Sequence, residues 1–238
     1  MPKPKLLLHS FYDPDFDGGD GSLFGEEHHH CVQVLRHAAG DTIKILNGKG
    51  LMGRVQIKEV TKKSLNYEIL ENRELDPKGF SIHLFIAPTK NIDRMEWMVE
   101  KLGELHVDKI TFIRTANSER SKIRLDRMER KVISAMKQSQ SGWKTHFEDI
   151  IHFEDSLSAI DEKTLIAHVS REHPYISNEL ISGAEIKIFI GPEGDFTGEE
   201  VMKAQDMGAK AVSLGRSTLR TETAGLMACQ AINFINQY

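Results

Sequence analysis

The sequence predicts two parts, a small β-rich N-terminal domain and a larger α/β domain built on a mainly parallel sheet. Three observations carry this. Alternating apolar runs flank an Asn-Gly turn between residues 42 and 69. A polar stretch with Pro77 and Gly79 interrupts the pattern. Beyond it, short apolar runs alternate with amphipathic stretches, the signature of strand–helix–strand units.

The elements follow in order. Thr42–Leu46 alternates, Asn47-Gly48-Lys49-Gly50 makes a turn, and Arg54–Ile57 alternates again, which is a strong hairpin signal. Leu65, Tyr67 and Ile69 supply a third strand. Asp13–Gly25 is rich in Gly and Asp and reads as a loop. The boundary placed at the polar stretch gives domains 1–74 and 75–238. In the second, Ile82–Ala87, Lys109–Ile113, Thr164–Val169, Glu185–Ile190 and Ala211–Leu214 read as strands. Asp93–Leu105 puts Met95, Met98, Val99, Leu102 and Leu105 on one helical face, with Asp93 and Glu96 placed for a capping box. Asp126–Gln138 and Thr223–Gln237 are further helices, and Thr197 with Glu200 caps another that ends near Gly208.

Composition narrows the function. The 238 residues are 39% hydrophobic and 28% charged, ordinary for a globular chain. No apolar run is long enough to cross a bilayer, and Leu6-Leu7-Leu8 is too short for a secretory core, so the expectation is a cytoplasmic protein. Two distant cysteines, Cys31 and Cys229, indicate reduced thiols. The net charge of −4 does not draw in nucleic acid, so any RNA contact must come from local patches such as Arg120, Lys122 and Arg124 at the head of a basic run ending at Lys131. Such a run also suits a solvated helix face.

Ligands of open parallel sheets bind beyond the carboxyl ends of strands. Two loops there stand out. Gly191-Pro192-Glu193-Gly194-Asp195 lacks the Lys and Ser/Thr of a phosphate loop and carries two carboxylates, which suit hydroxyls, an amine or a cationic ligand. Taken alone, it is equally a tight turn with surface acids. Leu214–Ala224 (LGRSTLRTETA) concentrates two arginines, a carboxylate and several hydroxyls ahead of the last helix. Taken alone, Thr221 or Thr223 is an N-cap and Glu222 serves the helix dipole.

Together, GPEGDFTGEE at 191–200 and LGRSTLRTETA at 214–224 resemble the paired motifs of the RsmE family, bacterial small-subunit ribosomal RNA uracil-N3 methyltransferases of the SPOUT superfamily. HCVQVLRHAAGD from His30 and NGKG from Asn47 resemble that family's PUA-like domain. KNIDRMEWMVEKLGELHVDKI from Lys90 resembles its next block, and Gln138-Ser139 falls where the family has a Gln-Ser element. The resemblance implies a PUA-like RNA-binding domain before a SPOUT α/β domain with a trefoil knot. It implies S-adenosylmethionine as cofactor, bent into the knot against Ala167, His168, Gly191, Glu193, Gly194, Leu214, Gly215, Thr218 and Leu219. The substrate would be small-subunit (16S) ribosomal RNA, free or in the assembled small subunit, and the enzyme a homodimer, with no membrane and no metal involved. Asp195 stands where the family usually has a second Gly, and Ser217 and Thr218 near where it usually has an Arg. The Arg expected after the Gln-Ser element is not evident.

Methylating uracil N3 removes its proton while charge develops on two flanking carbonyl oxygens, so the site needs a base or proton path and cationic donors. Because N3 is used in base pairing, the target must be unpaired or flipped out. Arg220 is the candidate donor; Glu222 either orients Arg220 or acts as the base. In His28-His29-His30, successive side chains point different ways, which disfavours a metal site. His30 is expected to pack and hydrogen-bond inside its domain, with His30 and Arg36 as further candidate RNA contacts. The sequence leaves three rival readings: a SPOUT methyltransferase acting on another RNA, a non-catalytic rRNA-binding assembly protein, and a chelator-sensitive hydrolase using the histidines.

Overall fold

A computed structural model describes residues 8–170 and 172–238; residues 1–7, with most of the Leu6–Leu8 run, lie outside the described residues. The chain divides into two compact units, 1–77 with 133–144, and 78–132 with 145–238.

The first unit holds β1 (Ser10–Tyr12), β2 (Gly21–Phe24), α1 (Gly25–His29, continued by a π-turn over His30–Val34), β3 (Thr42–Leu46), β4 (Leu51–Val60) and β5 (Ser64–Glu74). They form one sheet in the order β1-β3-β4-β5-β2, antiparallel except for β1 beside β3. The inward residues Ile43, Ile45, Val55, Ile57, Leu65 and Tyr67 alternate along their strands and close on Phe11, Phe16, Leu23 and Cys31. The expected hairpin turn is present. Asn47 accepts hydrogen bonds from the backbone N–H groups of Lys49 (2.8 Å) and Leu51 (3.0 Å), and Gly48 and Gly50 take positive φ of 71° and 96°. Where a loop was expected over Asp13–Gly25, the chain adds the edge strand β2. Four residues at a sheet edge are too few to show an alternating pattern.

The second unit holds β6 (Ser81–Ile86), α2 (Ile92–Glu104), β7 (Lys109–Arg114), the start of α3 (Leu125–Ser139), β8 (His146–His152), α4 (Phe153–Ser156), β9 (Thr164–Ala167), β10 (Glu185–Ile190), α5 (Gly198–Asp206), β11 (Lys210–Val212) and α6 (Thr221–Ile235). The six strands form a wholly parallel sheet in the order β11-β9-β10-β6-β7-β8. Both faces are covered, as such a sheet requires. Ile82, Leu84 and Ile86 of β6 point into one core with Met95, Met98 and Leu102 of α2 and Ala228, Cys229 and Ile232 of α6. Phe85, Ile166 and Phe189 point into the other with Phe153, Phe196, Val201 and Ala204. Phe85 and Phe189 stack at 4.3 Å between centroids. Burial pushes the Cys229 thiol up to about 12 and that of Cys31 likewise, which fits reduced, unreactive cysteines.

Several local expectations are corrected. Helix α2 is capped by Asn91, whose side chain accepts from the Asp93 N–H at 2.8 Å; Glu96 instead meets Arg127 and Lys131. Neither Thr221 nor Thr223 caps α6, because Arg220 occupies the N-cap position and its side chain makes no capping bond. Strand β8 went unread, being a charged edge strand (HFEDIIH) with no apolar run. The capping box of α5 is present as expected, with Thr197 and Glu200 exchanging bonds.

Candidate active site

All six strands run parallel, so their carboxyl ends share one edge of the sheet. The loops leaving β9, β10 and β11 meet there around a cleft of about 150 Å³. Its lining includes Ala167, His168, Gly191, Glu193, Leu214, Gly215, Thr218 and Leu219 from the expected set. Gly194 stands apart: its carbonyl turns to the Asn117 amide at 3.0 Å. Pro192, Arg216 and Ser217 of the same two loops line it as well, and Asp195, Thr221 and Ala224 do so without having been expected as its walls.

Hydrogen bonds between the loops fix the walls. The His168 N–H donates to Val212 O at 3.0 Å, joining the exits of β9 and β11. The Val169 N–H donates to the Asp195 carboxylate at 3.1 Å, joining β9 to the β10 loop. Glu193 accepts from the Lys90 N–H at 3.1 Å. Gly191 is required by close approach: a Cβ there would lie 3.0 Å from Phe196 N and 3.2 Å from the Asp195 carbonyl carbon. The loop therefore folds tightly back on itself, and its backbone is brought to the cleft.

His168 Nδ1 lies 3.3 Å from His173 Nε2, and His168 Nε2 is 3.6 Å from the Asp195 carboxylate. Burial, reinforced by His168, holds His173 below the usual imidazole range. The polar groups of the cleft are thus backbone amides and carbonyls, hydroxyls, two carboxylates, histidine and one arginine. That set suits a ligand with hydroxyls, an amine and a positive centre better than a polyphosphate.

Arg220 and Glu222 flank the cleft at the start of α6. Arg220 is exposed, and its neighbour Thr221 lines the cleft. Glu222 is buried at 6% exposure, with Oε1 3.7 Å from Arg94 Nε. Its other oxygen, Oε2, is buried and has no hydrogen-bond partner among the described residues. Arg94 was not foreseen; its place in the first turn of α2 gave no signal in the sequence.

The basic run behaves differently from a free cationic patch. Arg120 donates to the carbonyls of Thr89 and Lys90, and so braces the loop that holds Glu193. Arg124 and Arg130 both pair with Asp126, at 2.8 and 3.0 Å. Lys122 is exposed. In the first unit Arg36 is exposed with a positive φ of 60°. The buried, bonded histidine is His28, 3.2 Å from Thr61 O, rather than His30. His30 is half-buried beside Phe11, and burial together with Lys137 lowers its pKa.

Comparison with known proteins places this geometry. An RNA methyltransferase domain model matches residues 76–233, and an RNA methyltransferase PUA domain model matches residues 24–70. The crystal structure of a probable rRNA-methyltransferase from Porphyromonas gingivalis is similar, with 39% identity and a TM-score of 0.90 over 97% of this chain and 99% of that one. A ribosomal RNA small subunit methyltransferase E from Neisseria gonorrhoeae, bound to S-adenosyl methionine, is 28% identical, with a TM-score of 0.85, over 96% and 98% of the two chains. The Bacillus subtilis protein named ribosomal RNA small subunit methyltransferase E is 28% identical over 90% of this chain and 89% of its own.

Proposed function

Since the chain belongs to the RNA methyltransferase family, in its RsmE branch, we propose that it methylates N3 of a uridine in small-subunit (16S) ribosomal RNA with S-adenosylmethionine as donor. The observation that carries this is the cleft at the ends of β9, β10 and β11, whose walls are the two motif loops and whose donor set suits that cofactor.

When bound, S-adenosylmethionine supplies an electrophilic methyl group. The chain's own residues do the rest. Backbone groups of the Gly191 and Leu214–Leu219 loops would hold the cofactor, with Glu193 accepting from its hydroxyls or amine. Arg220, exposed beside the cleft, offers donors to the uracil oxygens as negative charge develops there. Glu222 is a positioning residue in this account. Its burial and its approach to Arg94 support holding the Arg94 guanidinium in place over taking the proton itself.

The trefoil knot is supported by the path of the last strand. Val212 O accepts from His168 on one side, while Ser213 bonds Pro174 O and the Ile176 N–H on the other. The chain thus leaves β11 between two parts of the β9–β10 connection. A homodimer is supported by Met227 and Phe234, seven residues apart on α6 and 52% and 81% exposed. The N-terminal module, about residues 1–74, docks RNA through His30 and Arg36, and Lys122 adds a phosphate contact. Action on ribosomal RNA places the protein in the cytoplasm in this reading; as a separate fact, among the described residues no helix is long and apolar enough to cross a membrane.

The test is transfer of labelled methyl from S-adenosylmethionine to small subunits, large subunits and naked rRNA, all lacking the modification. Incorporation confined to small-subunit RNA is expected. Transfer to another RNA only, or cofactor binding without transfer, would reject the proposal.

A further inference from the structure

Asp195 stands in the left-handed region at φ 58°, where glycine is the least strained residue and Asp is among the few others tolerated. An aspartate here is therefore expected to do something that glycine does not. Its Oδ1 accepts from the Phe196 N–H at 2.8 Å and its Oδ2 from the Val169 N–H at 3.1 Å. The first bond is local. The second crosses to the loop leaving β9, the strand paired with β10. Asn117 secures the backbone from outside, donating to Gly194 O and Asp195 O at 3.0 Å each. With the His168–Val212 bond, the three walls of the cleft become one hydrogen-bonded unit. Without the carboxylate, the described bonds leave the β9 exit tied to β11 but not to the β10 loop.

We propose that Asp195 is a positioning residue for the cofactor: its carboxylate clamps the β9 exit at Val169 onto the β10 loop and so presets the cleft. This rests on reading the cleft as the S-adenosylmethionine site. Preorganisation of this kind acts on affinity, because a loose wall must be ordered when ligand binds. It does not act on the chemical step once the cofactor is seated. Glycine suits the backbone at φ 58°, so Asp195→Gly removes the clamp without straining the turn. Asp195→Asn keeps one acceptor oxygen for Phe196 and sets an amide against the Val169 N–H, so it also breaks the cross-loop bond.

The experiment is calorimetric titration of wild type, Asp195→Gly and Asp195→Asn with S-adenosylmethionine. Melting of the cofactor-free proteins and kcat at saturating cofactor are measured alongside. Both variants are expected to bind about tenfold more weakly, as for one lost charge-assisted hydrogen bond. Their kcat should stay within about twofold and their cofactor-free Tm near wild type. Affinities within twofold of wild type would overturn the proposal. So would weakened binding matched by an equal fall in kcat and a lowered Tm, which marks a residue of the fold. Failure of the wild type itself to bind would instead bring down the cofactor reading on which the proposal stands.

Discussion

Arg220→Ala separates chemistry from binding. The side chain is exposed, makes no capping bond, and sits at the N-terminal end of α6, where a positive charge opposes the helix dipole. Its removal is therefore expected to change stability by no more than about 0.5 kcal/mol. It is also absent from the cleft lining, so cofactor affinity should hold within about twofold. If its guanidinium meets the uracil oxygens in the transition state, kcat should fall by roughly 10²–10³, or about 2.7–4 kcal/mol, the usual loss of one such donor. Single-turnover methyl transfer to unmodified small subunits gives the rate, and calorimetry gives the affinity. Equal losses of affinity and rate would refute the reasoning by placing Arg220 in the cofactor pocket.

Gly191→Ala puts a methyl 3.0 Å from Phe196 N, so the loop must move; we expect a stability loss of about 1–3 kcal/mol and, by calorimetry, at least tenfold weaker cofactor binding, and unchanged binding would contradict the tight-loop account. Burial pushes His83 down to about 4, with Lys109 adding to the shift. The unfolded chain therefore takes up this proton first as pH falls below about 6.5, and stability present above that pH is lost by about 4, by up to roughly 3 kcal/mol. Urea unfolding at both ends of that window should show a smaller acid loss for His83→Gln, and identical losses would refute this. Arg120→Ala should weaken cofactor binding without altering the salt dependence of RNA affinity, because its donors hold the Thr89 and Lys90 carbonyls. Lys122→Ala should lower the salt slope of RNA binding by about one; filter binding across salt concentrations distinguishes the two.

Much of the site was legible because it obeys a topological rule. Runs such as Glu185–Ile190 announce buried parallel strands, and the segments after them must carry the ligand. That reasoning found the Gly191 and Leu214 loops. What it missed depends on contacts far apart in sequence. Nothing near Asp195 marks its bond to Val169, and nothing near Arg120 marks the carbonyls of Thr89 and Lys90 as its targets. A basic run reads equally as an RNA patch or a solvated helix face, and its letters do not show that Arg124 and Arg130 share Asp126. His28 and His30 differ only in which way a short helix faces, which three identical letters cannot reveal. The segment 133–144 joins the N-terminal unit although α3 begins in the other, because no break in its helical period marks the change.

The most direct measurement is nucleoside mass spectrometry of small-subunit RNA after incubation of unmodified subunits with this protein and S-adenosylmethionine. The account predicts N3-methyluridine, formed by the wild type and strongly reduced with Arg220→Ala. A methyl group on another base or another atom of uridine, or none at all, would contradict it.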